Sequence, residues 1–124
     1  MNTHWLPAGT VTGTLLNFQR EVALWRARMD QPPYAAPPVA PVLYIKTANT
    51  FTPSGGNIAL PAGLDVEVSA SLGLVMGEAG EPSHAVLVDD VSVAHDSYYR
   101  PPVKHRCRDG FLGLGQEALA LDAI

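Results

Sequence analysis

Apolar and polar positions alternate most cleanly over residues 65–77, DVEVSASLGLVMG. There Val66, Val68, Ala70, Leu72, Leu74 and Met76 interleave with Glu67, Ser69, Ser71 and Gly73. A period of two predicts a long strand with one face in the core and one polar face. Residues 9–16 (GTVTGTLL) show a shorter alternation rich in β-branched residues and predict a second strand. The period then changes. Phe18, Val22, Trp25 and Met29 fall at helical spacing, so an amphipathic helix is expected, with Asn17 placed to cap it. Pro32 and Pro33 forbid its continuation, and the five prolines between Pro32 and Pro41 predict a stiff, extended connector over 32–41. Residues 42–45 read as a buried strand, and Pro53 with Gly55 and Gly56 marks a turn before the apolar run 58–60. Residues 85–88 predict a further short strand, with Asp89 and Asp90 at its end opening a polar, proline-interrupted loop to Asp109. One helix among several strands predicts an α+β, mainly β, fold.

Composition narrows the function classes. A chain of 124 residues with 47% hydrophobic positions forms one modest domain, 1–124. Lys and Arg number 8 against 12 Asp and Glu, and the basic residues are scattered, so no nucleic-acid partner is expected. No apolar run approaches the roughly 18 residues that a membrane span needs. The start MNTHWLPAG has neither a basic nor an apolar targeting stretch. A single cysteine, Cys107, excludes an internal disulfide, and a reducing cytoplasm is the expected compartment.

Common chemical motifs are missing: there is no GxGxxG, no Walker loop, no HExxH and no zinc-type cysteine pair. Cys107 lies between Arg106 and Arg108, which would activate a thiolate if they face it; packing is the plainer role for such a residue. His4, His84, His95 and His105 lack metal-ligand spacing. Asp89, Asp90 and Asp96 supply oxygen ligands of the kind a divalent cation takes, and equally the short side chains that cap loops after strands.

The run DDVS, then CRDGF and GLG within residues 89–115, resembles the signature of the fumarylacetoacetate hydrolase family, in which ND-V-S leads to K-x-x-DGF-x-PLG. LLNF at 15–18, YIKTANT at 44–50 and IALPAG at 58–63 resemble further family segments in the same order, so the likeness runs over 9–117. Within the family the chain is most similar to the N-terminal repeat, or separate first subunit, of isomerase/decarboxylases of aromatic catabolism. The resemblance implies a partial β-roll with one N-terminal amphipathic helix. It also implies Mg²⁺ or Mn²⁺ chemistry on a 2-oxo-dicarboxylate substrate, the cation acting as a Lewis acid.

Carried over residue by residue, the resemblance makes Asp90 the family's third metal ligand, while Ser69 and Ser71 stand where the family has an E-x-E pair. Serine hydroxyls are weak ligands for a hard cation, so metal is expected to be weak or absent in this chain. Glu67 shares their face, about 6–7 Å along the strand. The family's His-x-x-Glu pair falls on Glu21 and Leu24. Arg106 replaces the lysine before DGF, and Lys46 is kept at the cavity border; these two are the catalytic candidates. Tyr99, Arg100 and Arg108 are candidates for substrate contact, and Tyr98, Tyr99 and Arg100 equally for a subunit interface. Family domains continue beyond PLG with strands that close the roll. An open sheet edge and an apolar face are therefore expected, along with a metal-bearing second subunit or a homo-oligomer as partner.

Overall fold

The computed structural model describes residues 5–124, so His4 falls outside it. Strands β1 (Val11–Leu15) and β2 (Val42–Lys46) pair antiparallel, from Val11 opposite Lys46 to Leu15 opposite Val42. Between them run helix α1 (Gln19–Trp25), one 3-10 turn (Arg26–Arg28) and the proline-rich stretch. The predicted cap is corrected: Phe18, not Asn17, precedes the first turn, with no side-chain cap bond. Leu16 takes a left-handed φ of 58°, which delays the helix, and Val22 N–H donates to the Phe18 carbonyl. Phe18 is therefore exposed, while Val22 and Trp25 are half-buried and Met29 is buried.

The proline-rich stretch does more than space two elements. Tyr34, within it, is buried and stacks on Tyr98 at 4.1 Å between ring centroids, and Trp25 meets both rings edge-on. Offset and edge-on aromatic contacts of this kind add about 0.5–1.5 kcal/mol beyond their area burial. These rings and Met29 form one small core, with Val42 packed against it.

The larger sheet is ordered β3 (Phe51–Thr52), β6 (Leu112–Leu114), β5 (Pro82–Val93), β4 (Val66–Met76), with β7 (Leu119–Ala120) also pairing β5. The β3–β6 pair is parallel and the rest antiparallel. A second core of Val91, Val93 and Phe111, with Ile58 and Val66, lies on one side of it. A short helix, α2 (Val103–Arg106), interrupts the long loop before β6. The architecture is α+β and mainly β, in line with the sequence pattern, and no described helix is long and apolar enough to cross a membrane.

Three expectations change. The strand predicted at 85–88 runs from Pro82 to Val93, so Asp89 and Asp90 sit inside the sheet rather than opening a loop. Neighbours on both sides impose this: Asp90 pairs with Ser69 of β4 and Leu112 of β6, and ladder bonds outweigh the turn preference of aspartate. The period of two in β4 is real, but its apolar face is not core: Val68, Leu72, Leu74 and Met76 are each more than half exposed. No described layer covers them. On β2, alternation replaces full burial, with Leu43 and Ile45 turned outward.

The two environments separate in a simple stability test. Phe111→Ala, at a position 1% exposed, is expected to cost about 3–5 kcal/mol in chemical denaturation. Leu43→Ala, on the outer side of β2, should stay within about 0.5 kcal/mol of the parent. A large loss at Leu43 would mean that β2 is buried on both sides.

Candidate functional site

Alternation along β2 places Tyr44 and Lys46 on one face, and Lys46 is only 3% exposed. Its ammonium donates to the carbonyls of Val91 at 2.6 Å, Arg106 at 2.8 Å and Phe111 at 3.0 Å. An ammonium has three protons, and these acceptors take all of them. Asp90 Oδ1 lies 2.7 Å from Nζ yet receives no aligned hydrogen bond, so its share of the contact is charge attraction. The other oxygen, Oδ2, accepts the Tyr44 hydroxyl and faces Arg106 Nη1 at 4.0 Å. The Arg106 guanidinium lies over the Tyr44 ring, 4.2 Å from its centre.

Burial sets the titration of this group. It pushes the Lys46 ammonium below its ordinary range, opposed by the charge attraction of Asp90. Burial, then the bond to Asp90, holds the Tyr44 hydroxyl well above its ordinary range, so tyrosine remains the donor. Gly13 sits opposite Tyr44 across the β1–β2 pair, where a Cβ would collide with the ring. The missing side chain is what lets the hydroxyl reach Asp90.

Ser69 lies directly across from Asp90, Ser71 across from Val88, and Glu67 across from Ser92, so all three share the face of Asp90. The remaining sequence candidates scatter. Asp89 points to the opposite face, and Asp96 pairs with Arg28 at 2.8 Å in a loop, which divides the three aspartates. Tyr98 belongs to the aromatic core. Tyr99 and Arg100 are exposed, with the Arg100 guanidinium over the Tyr99 ring at 5.0 Å. Arg108 is exposed and makes no ion pair with Asp90. Cys107 Sγ donates to the Ile45 carbonyl at 3.2 Å, a packing role. A cavity of about 20 Å³, room for one water, is lined by Glu67, Ser92, His95, His105 and Arg106 among others.

The donor set does not fit a divalent cation. Among the described residues no three His, Cys, Asp or Glu side chains converge, and the carboxylate at hand is occupied by an ammonium and a tyrosine hydroxyl. A cation would have to displace Lys46 and then find a serine hydroxyl, Ser69, directly opposite. What the arrangement offers instead is a buried, neutralised pair with the edge of one guanidinium beside it; Arg106 retains donors suited to a carboxylate. Tyr44 and Gly13 were not singled out from sequence. The available signal was Tyr44 two residues before Lys46, hence on its face; the Gly13 pairing is long-range and leaves no local mark.

The family model described as fumarylacetoacetate (FAA) hydrolase C-terminal matches residues 10–124. The chain is 35% identical over 120 residues to the 4-hydroxyphenylacetate degradation bifunctional isomerase/decarboxylase of Salmonella dublin, covering 89% of this chain. It is 35% identical over 126 residues to the protein of that name from Escherichia coli, covering 94%. With an Escherichia coli homoprotocatechuate catabolism bifunctional isomerase/decarboxylase it shares 33% over 126 residues. The chain spans 28–29% of the length of these relatives.

Removing one side of the buried pair tests its weight. Lys46→Met leaves Asp90 without its counter-ion and three carbonyls without donors, an expected loss of about 3–5 kcal/mol by urea denaturation. Lys46→Met/Asp90→Asn should lose less than the single variant; an equal or larger loss would show that charge is not the cause.

His105 gives a pH test. Burial, then His95 with its ring 5.2 Å away, then Lys104 and Arg108, lower its pKa below the ordinary 6.5. The unfolded chain then binds more protons, so stability is present above pH 6.5 and falls as pH drops through the lowered value. The melting temperature of His105→Gln should vary less over pH 5–7 than that of the parent.

Proposed function

The chain belongs to the fumarylacetoacetate hydrolase family, and from that premise we propose that it is the metal-poor, non-catalytic half of an isomerase/decarboxylase. The reaction would be that of 4-hydroxyphenylacetate catabolism: decarboxylation of 5-carboxymethyl-2-oxohex-3-ene-1,7-dioate and isomerisation of 2-hydroxyhepta-2,4-diene-1,7-dioate. On this reading residues 1–124 form one domain that works in the cytoplasm beside a metal-bearing second subunit. Support comes from the names of the relatives and from the state of the Asp90 carboxylate.

The single observation that carries the silent-subunit reading is the Lys46–Asp90 pair, closed by Tyr44 and facing Ser69. Mg²⁺ or Mn²⁺ chemistry, polarisation of a 2-oxo acid toward its enolate, then falls to the partner. A second reading, a metal-free binder of 2-oxo-dicarboxylates, is favoured by Arg106, whose side chain is 17% exposed at the rim of the buried pair. Arg108, Tyr99 and Arg100 would extend that surface, with Lys46 supplying buried positive charge.

Calorimetric titration of the chain with Mg²⁺ and Mn²⁺ should give no saturable heat at micromolar concentrations; tight binding would sink the silent-subunit reading. For the second reading, oxaloacetate in EDTA should raise the melting temperature, and Arg106→Gln should abolish the rise. No shift at high ligand concentration would rule it out.

A further inference from the structure

Leu15 lines two cavities. One is the space beside Arg106, about 20 Å³; the other, of about 440 Å³, shares no residue with it except Leu15. The larger one falls within the roughly 300–1,000 Å³ of small-molecule sites. Its floor is the outer side of the aromatic core: Met29, with Leu15, Leu16, Val22 and Val42 packed against that core. Pro37, Pro38 and Pro41 of the connector form a wall. Each proline fixes its own φ, so the wall keeps its shape without an occupant and little ordering is left for a ligand to impose.

Polar groups in the lining are few, and they select the ligand. Arg26 is the only charged residue there. It is exposed, and its guanidinium makes no ion pair among the described residues, whereas Arg28, two residues on, is held by Asp96 at 2.8 Å. A guanidinium without a partner grips one planar anion through two parallel N–H donors. Asn17 adds an amide donor: α1 takes no side-chain cap bond, so this side chain is not spent on the helix. A second carboxylate on the ligand would lie against proline and leucine with no cation to meet it, a costly burial. One negative charge on an apolar body is therefore the complement. The Met29 thioether favours contact with an aromatic ring, and the proline rings offer it a flat apolar surface.

We propose that this cavity is a binding site for an aromatic monocarboxylate, its ring between Met29 and the proline wall and its carboxylate on Arg26 and Asn17. The site is separate from the Asp90 side, where the metal-free reading takes a dicarboxylate on Arg106, and it does not depend on that reading.

Titration of the isotope-labelled chain with 3-phenylpropionate, followed by amide shifts in two-dimensional NMR, tests it. Saturable shifts are expected at Leu16, Asn17, Arg26 and Ala40, with a submillimolar dissociation constant. Arg26→Gln should weaken binding at least tenfold, as should replacing the ligand by the neutral 3-phenylpropanamide; Arg106→Gln should leave it unchanged. Ala40→Phe, which fills the cavity and keeps Arg26, should also abolish binding. Arg26 and Ala40 are both exposed, so the circular dichroism spectra of these variants should match the parent's. A parent that shows no saturable shift up to about 5 mM would overturn the proposal and leave the cavity to be filled by polypeptide. Equal binding of the amide, indifference to Arg26→Gln, or shifts centred on Ser92, His95 and Arg106 would overturn it as well.

Discussion

The ammonium of Lys46 is the constraint on which the rest of the structure hangs. It leaves one sheet through β2 and ends among oxygens supplied by β5, the α2 segment and the residue that precedes β6. Beside it, the β1–β2 pair is held to the larger sheet by the Tyr44 hydroxyl on Asp90, and to the segment before β6 by the Cys107–Ile45 bond. The pair is expensive to bury, because both charges give up water, and it is stabilised by completeness: three carbonyls use the three protons, and a carboxylate balances the charge. Tyr44 and Gly13 serve the same arrangement, one by donating to the carboxylate and the other by leaving room for the ring.

The same pair meets the needs of the Asp90 carboxylate inside the sheet. A carboxylate on a central strand needs a positive partner whatever the chemistry. With Ser69 facing Asp90 across β4, the requirement is met from within by Lys46. Glu67, two residues along the strand, stays exposed and outside the pair. The guanidinium of Arg106, held over Tyr44, is the part of the cluster that still reaches the surface.

Local signals in the sequence carried the elements and the class of fold. The alternation in β4 was legible because it depends on neighbours two residues apart, and Asp90 and Ser69 were legible as facing positions through the family resemblance. What could not be read was set by distant pairing. Asp89 and Asp90 carry turn chemistry, and only flanking strands on both sides make them strand residues. The apolar face of β4 was assigned to a core because periodicity reports that one side is apolar and says nothing about whether a layer lies against it. Tyr34, inside a proline run, carries no periodic signal, yet it closes the aromatic core.

The acceptors around Lys46 lie 45, 60 and 65 residues further along the chain. During synthesis the lysine therefore emerges long before any group that can hold it, and it stays hydrated until Phe111 has been made. The parallel pairing of β3 with β6 has the same span, Phe51 meeting Leu112. Loop closure of that length precedes the contacts that reward it, so folding is governed by late, non-local events. The order of assembly is thus written into the lysine: the β1–β2 pair can form early, but it is fastened to the larger sheet only when residues 91–111 arrive.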